Sequence, residues 1–255
     1  MARIEDNMEK GKIGGSNFQF SNTRLDKLAG ASSEYTLVTI AVDETGSISG
    51  FEDDLGEMVK AALQGCYRAP TPETLLIRLI GFGSQYSGSN GVNEFFGFKP
   101  LNEIDVNDLP TFDGQGMTPL CDAAYSAIGA TSELASSLWE EEGCGTNSIN
   151  FIITDGYDNY STTTPAKVKE TAKQAITSES GLESMLTVLI GINAKNYESE
   201  LMAFKENAGL DQYIDAGDVT PSMLAKLADF ISQSVSSQSQ ALGTGGASED
   251  ISATI

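Results

Sequence analysis

The chain predicts an α/β domain of the Rossmann-like, doubly wound kind: a mostly parallel six-stranded sheet with helices on both faces. Three observations predict it. Strand-like apolar runs alternate with helix-period segments along most of the 255 residues. The runs are rich in Val, Ile and Leu without strict alternation, as strands buried on both faces should be. No internal repeat or second apolar core divides the chain, and its length suits one large domain.

The strand candidates are Tyr35 to Val42, Leu75 to Phe82, Ile149 to Thr154, Met185 to Ile192 and the short Tyr213 to Ala216, with a weaker run at Glu94 to Phe98 that reads as an edge strand. Between them lie amphipathic helices. One places Phe51, Leu55, Val59, Ala62 and Leu63 on a single stripe, and a longer one does so with Leu120, Ala124, Ala127, Ile128, Leu134 and Leu138. Val168, Ala172, Ala175 and Ile176 mark a third, Leu201 and Phe204 a short fourth, and Leu224, Leu227, Ala228, Ile231 and Val235 the last.

Residues 34–240 form the predicted domain. Residues 1–33 differ in kind: five basic and four acidic side chains give them a net +1, leaving −22 for the rest. This leader reads either as an extension docked through Phe18, Phe20 and Leu25 or as a flexible arm. Residues 241–255, rich in Gly, Ser and Thr, have the composition of a flexible tail.

Composition narrows the chemistry. A net charge of −21 argues against binding nucleic-acid phosphates or anionic membranes. The absence of histidine excludes Ser-His-Asp and Cys-His catalysis and every His-containing zinc site. Cys66, Cys121 and Cys144 are an odd number with no CxxC spacing, so they read as buried free thiols in a reducing compartment. The N-terminus lacks the apolar stretch of a signal peptide, and no apolar run approaches the roughly 20 residues of a membrane span, so the expected location is the cytoplasm.

In open α/β sheets ligands gather outside the carboxyl ends of the strands. The first strong strand runs into Asp43-Glu-Thr-Gly-Ser47, the Ile149 strand into Asp155-Gly, and a glycine-rich loop ending at Thr118 opens the long helix. Asp43, Thr45 and Ser47 at alternate positions of a turn can aim three oxygens at one centre, to which Thr118 and Asp155 add a hydroxyl and a carboxylate. Two carboxylates and three hydroxyls suit a hard divalent cation: Mg²⁺, or alternatively Ca²⁺ or Mn²⁺. An acidic group from a partner would complete the shell.

Plainer roles compete for some of these residues. Thr118, Thr164 and Thr220 each precede a proline, the pattern of a helix N-cap followed by Pro in the first turn. That role suffices for Thr164 and Thr220, whereas the glycines before Thr118 point to more. Asp158 and Asn159, close after Asp155, read either as lining the same rim or, more plainly, as a solvated loop, and Glu44 as a rim contact or surface acid outside the ligand set. Asp122 either stands behind the site or complements the helix dipole. The Phe95, Phe96 and Phe98 cluster and Trp139 read as packing residues.

The three segments Asp43-Glu-Thr-Gly-Ser47, Gly-Met-Thr118-Pro-Leu and Ile-Thr-Asp155-Gly-Tyr-Asp-Asn resemble the von Willebrand factor A (VWA) family over roughly residues 35–235. The resemblance implies a Rossmann-like fold with a metal-ion-dependent adhesion site of DxSxS loop, separate Thr and separate Asp. Thr45 departs from the usual Ser but keeps the hydroxyl. Thr45, Ser47 and Thr118 would then touch the ion directly or through water, with Asp43 and Asp155 acting mostly through bound waters. The resemblance further implies capture of a partner's Asp or Glu without catalysis, in a larger assembly or beside an AAA+ ATPase. Two other classes compete: a structural subunit of a larger, possibly viral, assembly in which the ion only stabilises, and a metal-dependent hydrolase or phosphotransferase. The second of these lacks a P-loop, a strand-linked GxGxxG and an evident second carboxylate pair.

Overall fold

The structure, a computed structural model, describes residues 7–13, 16–22, 32–176 and 181–244. Eight strands form one sheet: β1 (Asn7–Ile13), β2 (Ser16–Asn22), β3 (Glu34–Asp43), β4 (Leu75–Phe82), β5 (Val92–Pro100), β6 (Gly145–Thr154), β7 (Leu182–Ile192) and β8 (Gln212–Gly217). Their spatial order is β1-β2-β5-β4-β3-β6-β7-β8. Among the described residues five α-helices cover it: α1 (Glu52–Cys66), α2 (Leu120–Glu142), α3 (Pro165–Ala175), α4 (Glu198–Ala208) and α5 (Pro221–Thr244).

All six predicted strands are present, and β3, β4, β6, β7 and β8 run parallel. The Glu94–Phe98 run is the core of β5, which pairs antiparallel with β4. It is not the sheet edge. An antiparallel hairpin of β1 and β2 lies beyond it, with Asn22 paired to Phe98. Those strands escape a search for apolar runs because β1 reads NMEKGKI, with three charges and a glycine. The side chains of Phe18 and Phe20, and all of Leu25, lie outside the described residues, as do residues 245–255 of the predicted tail.

Side chains alternate across β3 and β4, so each strand feeds two cores. Leu37, Ala41, Leu76 and Ile80 pack with α2 on one face, together with Val168 of α3 and Leu201 and Phe204 of α4. Val38, Ile40, Ile77 and Leu79 pack with α1 and α5 on the other. β3, β4 and β6 are buried on both faces, which is why their apolar residues fall on both faces instead of alternating strictly with polar ones. Cys66, Cys121 and Cys144 are free and buried, whereas Trp139 is 48% exposed over Gly181 and so is not the packing residue expected. Among the described residues no helix is long and apolar enough to cross a membrane.

From β3 the chain moves outward to β4 and β5 on one side, then returns to place β6 on the other side of β3. The carboxyl ends of β3 and β6 therefore stand side by side at the point where the strand order reverses. The loops after these two strands cannot avoid each other.

Candidate functional site

β3 ends on Asp43 and β6 on Thr154, and a single 2.6 Å hydrogen bond joins them, donated by Thr154 Oγ1 to Asp43 Oδ2. The other Asp43 oxygen accepts the Thr45 backbone N–H at 2.9 Å, turning the chain sharply as it leaves the strand. Residues 46–48 then form a single 3-10 turn, pinned by the fully buried Ile48. Burying such a side chain contributes about 1.5–3 kcal/mol. The turn presents the hydroxyls of Thr45 and Ser47 on one side, 3.0 Å apart.

All five predicted ligands meet here. Ser47 Oγ donates to Asp155 Oδ1 at 2.7 Å, and Thr118 Oγ1 contacts Thr45 Oγ1 at 3.4 Å. Thr118 does not cap the long helix: α2 starts at Leu120 after Pro119, with no side-chain cap. By contrast, Thr164 accepts from the Lys167 N–H and Thr220 from the Met223 N–H, as expected of caps. The Thr118 hydroxyl is left to the site.

Residues that carry no ligand role hold the loops in place. Glu44 is fully buried, which corrects its reading as a rim or surface acid. Its Oε1 accepts the Asp113 N–H at 3.0 Å, and its carbonyl accepts the Gln115 N–H and Gln85 Nε2. It lies where a side chain on Gly81 would be, so β4 needs glycine at that position. Gly116 (φ +80°) passes its carbonyl to the Gly46 N–H, and a Cβ there would collide with Ser84 Oγ. Asn159 is likewise not simply solvated: its Oδ1 accepts the Thr118 N–H at 2.7 Å, while Asp158 Oδ1 accepts the Cys121 N–H and the Ser161 hydroxyl. Asp122 accepts the N–H groups of Thr162 and Thr163, latching the loop after Asp155 to α2. Turn-forming Asp and Asn in sequence mark such contacts only as loop residues, because their partners lie about forty positions away.

The electrostatics are unusual for two neighbouring acids. Burial pushes Asp43 up to about 7, against the bonds from Thr154 and Thr45, and the charge of Asp155 pushes the same way. Asp155 is raised as well, again by burial, with the Ser47 bond opposing. Glu44 is pushed to about 7 chiefly by burial. No ion pair among the described residues involves Asp43 or Asp155. No cluster of three or more His, Cys, Asp or Glu suited to a metal occurs among the described residues either. Two carboxylates supported by three hydroxyls nevertheless form a donor set that fits a hard dication, because oxygen is the only ligand type and the charges it brings are uncompensated.

No family model matches the sequence. No curated protein matches it either. Solved structures do. Two structures of the pilus adhesin SpaC from Lactobacillus rhamnosus GG are similar, with TM-scores of 0.56 and 0.54, each at 12% identity over 91% of this chain. The chain spans about a third of SpaC, 34% and 33% in the two structures. A von Willebrand factor type A structure from Catenulispora acidiphila is similar at a TM-score of 0.49 and 13% identity, over 93% of this chain and 52% of that one. At such identities the likeness to SpaC establishes fold alone: the chain is a Rossmann-like α/β domain with a mostly parallel, helix-covered sheet.

Proposed function

We propose that the chain is a divalent-cation-dependent protein-binding module of the VWA type. Asp43, Thr45, Ser47, Thr118 and Asp155 would hold Mg²⁺, or Mn²⁺ or Ca²⁺, and an Asp or Glu of a partner protein would complete the shell. The observation that carries this reading is Asp43: a wholly buried carboxylate with no cationic partner among the described residues, hydrogen-bonded into a connected set of hydroxyls at the strand switch point. A bound dication would supply the missing positive charge, and the two protein carboxylates would leave it able to attract a third. Binding rather than catalysis is the role proposed, in a reducing, cytoplasmic setting consistent with three buried free thiols, within an assembly or beside an AAA+ ATPase.

Calorimetric titration of the full chain with Mg²⁺, Mn²⁺ and Ca²⁺ tests the site. Wild type should bind one of them and Asp43→Ala should not; equal behaviour of the two proteins would reject it. Pull-down with Mg²⁺ or with chelator tests the recognition step. A second reading, a structural subunit whose leader threads onto neighbours, draws on the hairpin at residues 7–22. Light scattering would favour it if variants of the hairpin abolished assembly while Asp43→Ala did not.

A further inference from the structure

Arg78 is the one charged residue in β4, a strand otherwise of Leu, Ile, Gly and Phe, and it is fully buried. It belongs to a row. Arg78 is in register with Thr39 on β3, Thr39 with Asn150 on β6, and Asn150 with Thr187 on β7. By strand alternation all four lie on the sheet face that α2 covers, with apolar residues on either side except at Ser148. Helix α2 answers in two places: Ser126 receives Arg78 through its carbonyl (3.3 Å) and its hydroxyl (3.2 Å), and Thr131 donates to Asn150 Oδ1 at 3.1 Å. An apolar helix face can slide over an apolar sheet at little cost. Polar contacts at two points along the helix define one axial register, the best-attested use of buried polar groups.

The row continues beyond the core. Glu94 Oε2 accepts Arg78 Nε at 2.6 Å, and Glu94 Oε1 accepts both the N–H and the hydroxyl of Ser21 on β2, each at 2.7 Å. The hairpin strand passes so close to β5 that a side chain on Gly97 would overlap the Ser21 backbone carbonyl. The seat is shaped to the hairpin backbone, and the contact ends on the guanidinium that meets α2 at Ser126. Two residues before α2 begins stands Thr118.

From this continuous contact, Ser21 to Glu94 to Arg78 to Ser126, we infer that the hairpin at residues 7–22 is a positioning element for the site: its seating on Glu94 holds α2, and with it Thr118, in the register that places the Thr118 hydroxyl beside Thr45. Glu94, Arg78 and Ser126 are positioning residues that touch no ligand. Where it concerns the cation, this inference rests on the metal-binding reading above.

The test uses the full chain as wild type, Gly97→Ala, Ser126→Ala and Ser126→Thr. Hydrogen exchange without added cation reads the backbone at residues 117–122, calorimetry reads Mg²⁺ affinity, and thermal melting reads stability. Gly97→Ala, which unseats the hairpin, and Ser126→Ala should accelerate exchange locally at 117–122 and weaken Mg²⁺ binding by about threefold to tenfold. Ser126→Thr, which keeps the hydroxyl, should restore both. A purely structural role would lower the melting temperature and raise exchange across the whole sheet, with no local excess at 117–122, and would overturn the inference; so would unchanged exchange in Ser126→Ala. Should wild type bind no Mg²⁺, the metal reading fails, and the exchange arm still decides whether the hairpin positions Thr118. If Gly97→Ala does not fold, Ser21→Ala, which removes the hydroxyl donated to Glu94, takes its place with the same expected and overturning outcomes.

Discussion

Ser47 Oγ donates a 2.7 Å hydrogen bond to Asp155 Oδ1 across 108 positions of sequence. The bond exists because β3 and β6 are parallel neighbours, so the loops that leave them arrive at the same rim. Asp155 is held by a hydroxyl rather than by a lysine or arginine, and Asp43 beside it is held the same way. The site thus concentrates oxygen and negative charge without internal compensation, and the consequences can be measured.

Replacing Asp43 by Asn removes a buried charge but keeps the shape. The metal-free protein should become more stable, by about 1–3 kcal/mol near neutral pH, because the cost of burying an uncompensated carboxylate disappears. The same change should abolish Mg²⁺ binding. Denaturant unfolding with and without Mg²⁺ checks both halves; a less stable, metal-binding variant would contradict the electrostatic account.

Stability should fall as pH rises through the acid-to-neutral range. Asp43 and Glu44 move from ordinary values of 3.8 and 4.5 to about 7 in the folded chain. The folded state therefore holds protons that the unfolded state has released, and stability present below the ordinary values is lost as pH climbs toward the folded ones. Saturating Mg²⁺ favours the ionised carboxylate and should flatten that decline. The signature is the difference between wild type and Asp43→Asn in melting temperature, which should widen from about pH 5 to about pH 8 without metal and narrow with it.

Thr118 and Thr164 separate ligation from capping. Thr118→Val should weaken Mg²⁺ binding at least about tenfold with little loss of stability, since its hydroxyl caps no helix. Thr164→Val should leave metal binding intact and cost about 1 kcal/mol through the lost cap on α3. Calorimetry and chemical denaturation on the pair would expose a reversed pattern at once.

Gly81→Ala tests the buried seat of Glu44. The added methyl would overlap the Glu44 carboxylate and force it off the Asp113 N–H, freeing the loop that leads to Thr118. The expected cost is about 1–3 kcal/mol of overpacking, with weaker Mg²⁺ binding as well. A variant of unchanged stability and affinity would show that Glu44 does not organise the loop.

Where chemistry is local, the linear chain was a sufficient guide. Apolar runs located β3, β4, β6 and β7 most clearly, since a strand buried on both faces is apolar whatever its neighbours are, and the half-buried β5 and β8 gave weaker or shorter runs. The D-x-T-x-S spacing similarly placed three oxygens in one turn. Folding was needed for everything that depends on a distant partner. Glu44 and Asn159 look like ordinary loop polar residues until Gly81 opens a space for one and the Thr118 N–H meets the other. The hairpin at residues 7–22 has too few apolar residues to announce itself; its place beside β5 depends on Gly97 and Glu94, more than seventy positions away. Hydrophobic periodicity records whether a residue is buried. It carries no record of which polar group will meet which, because strand order and register set those pairings.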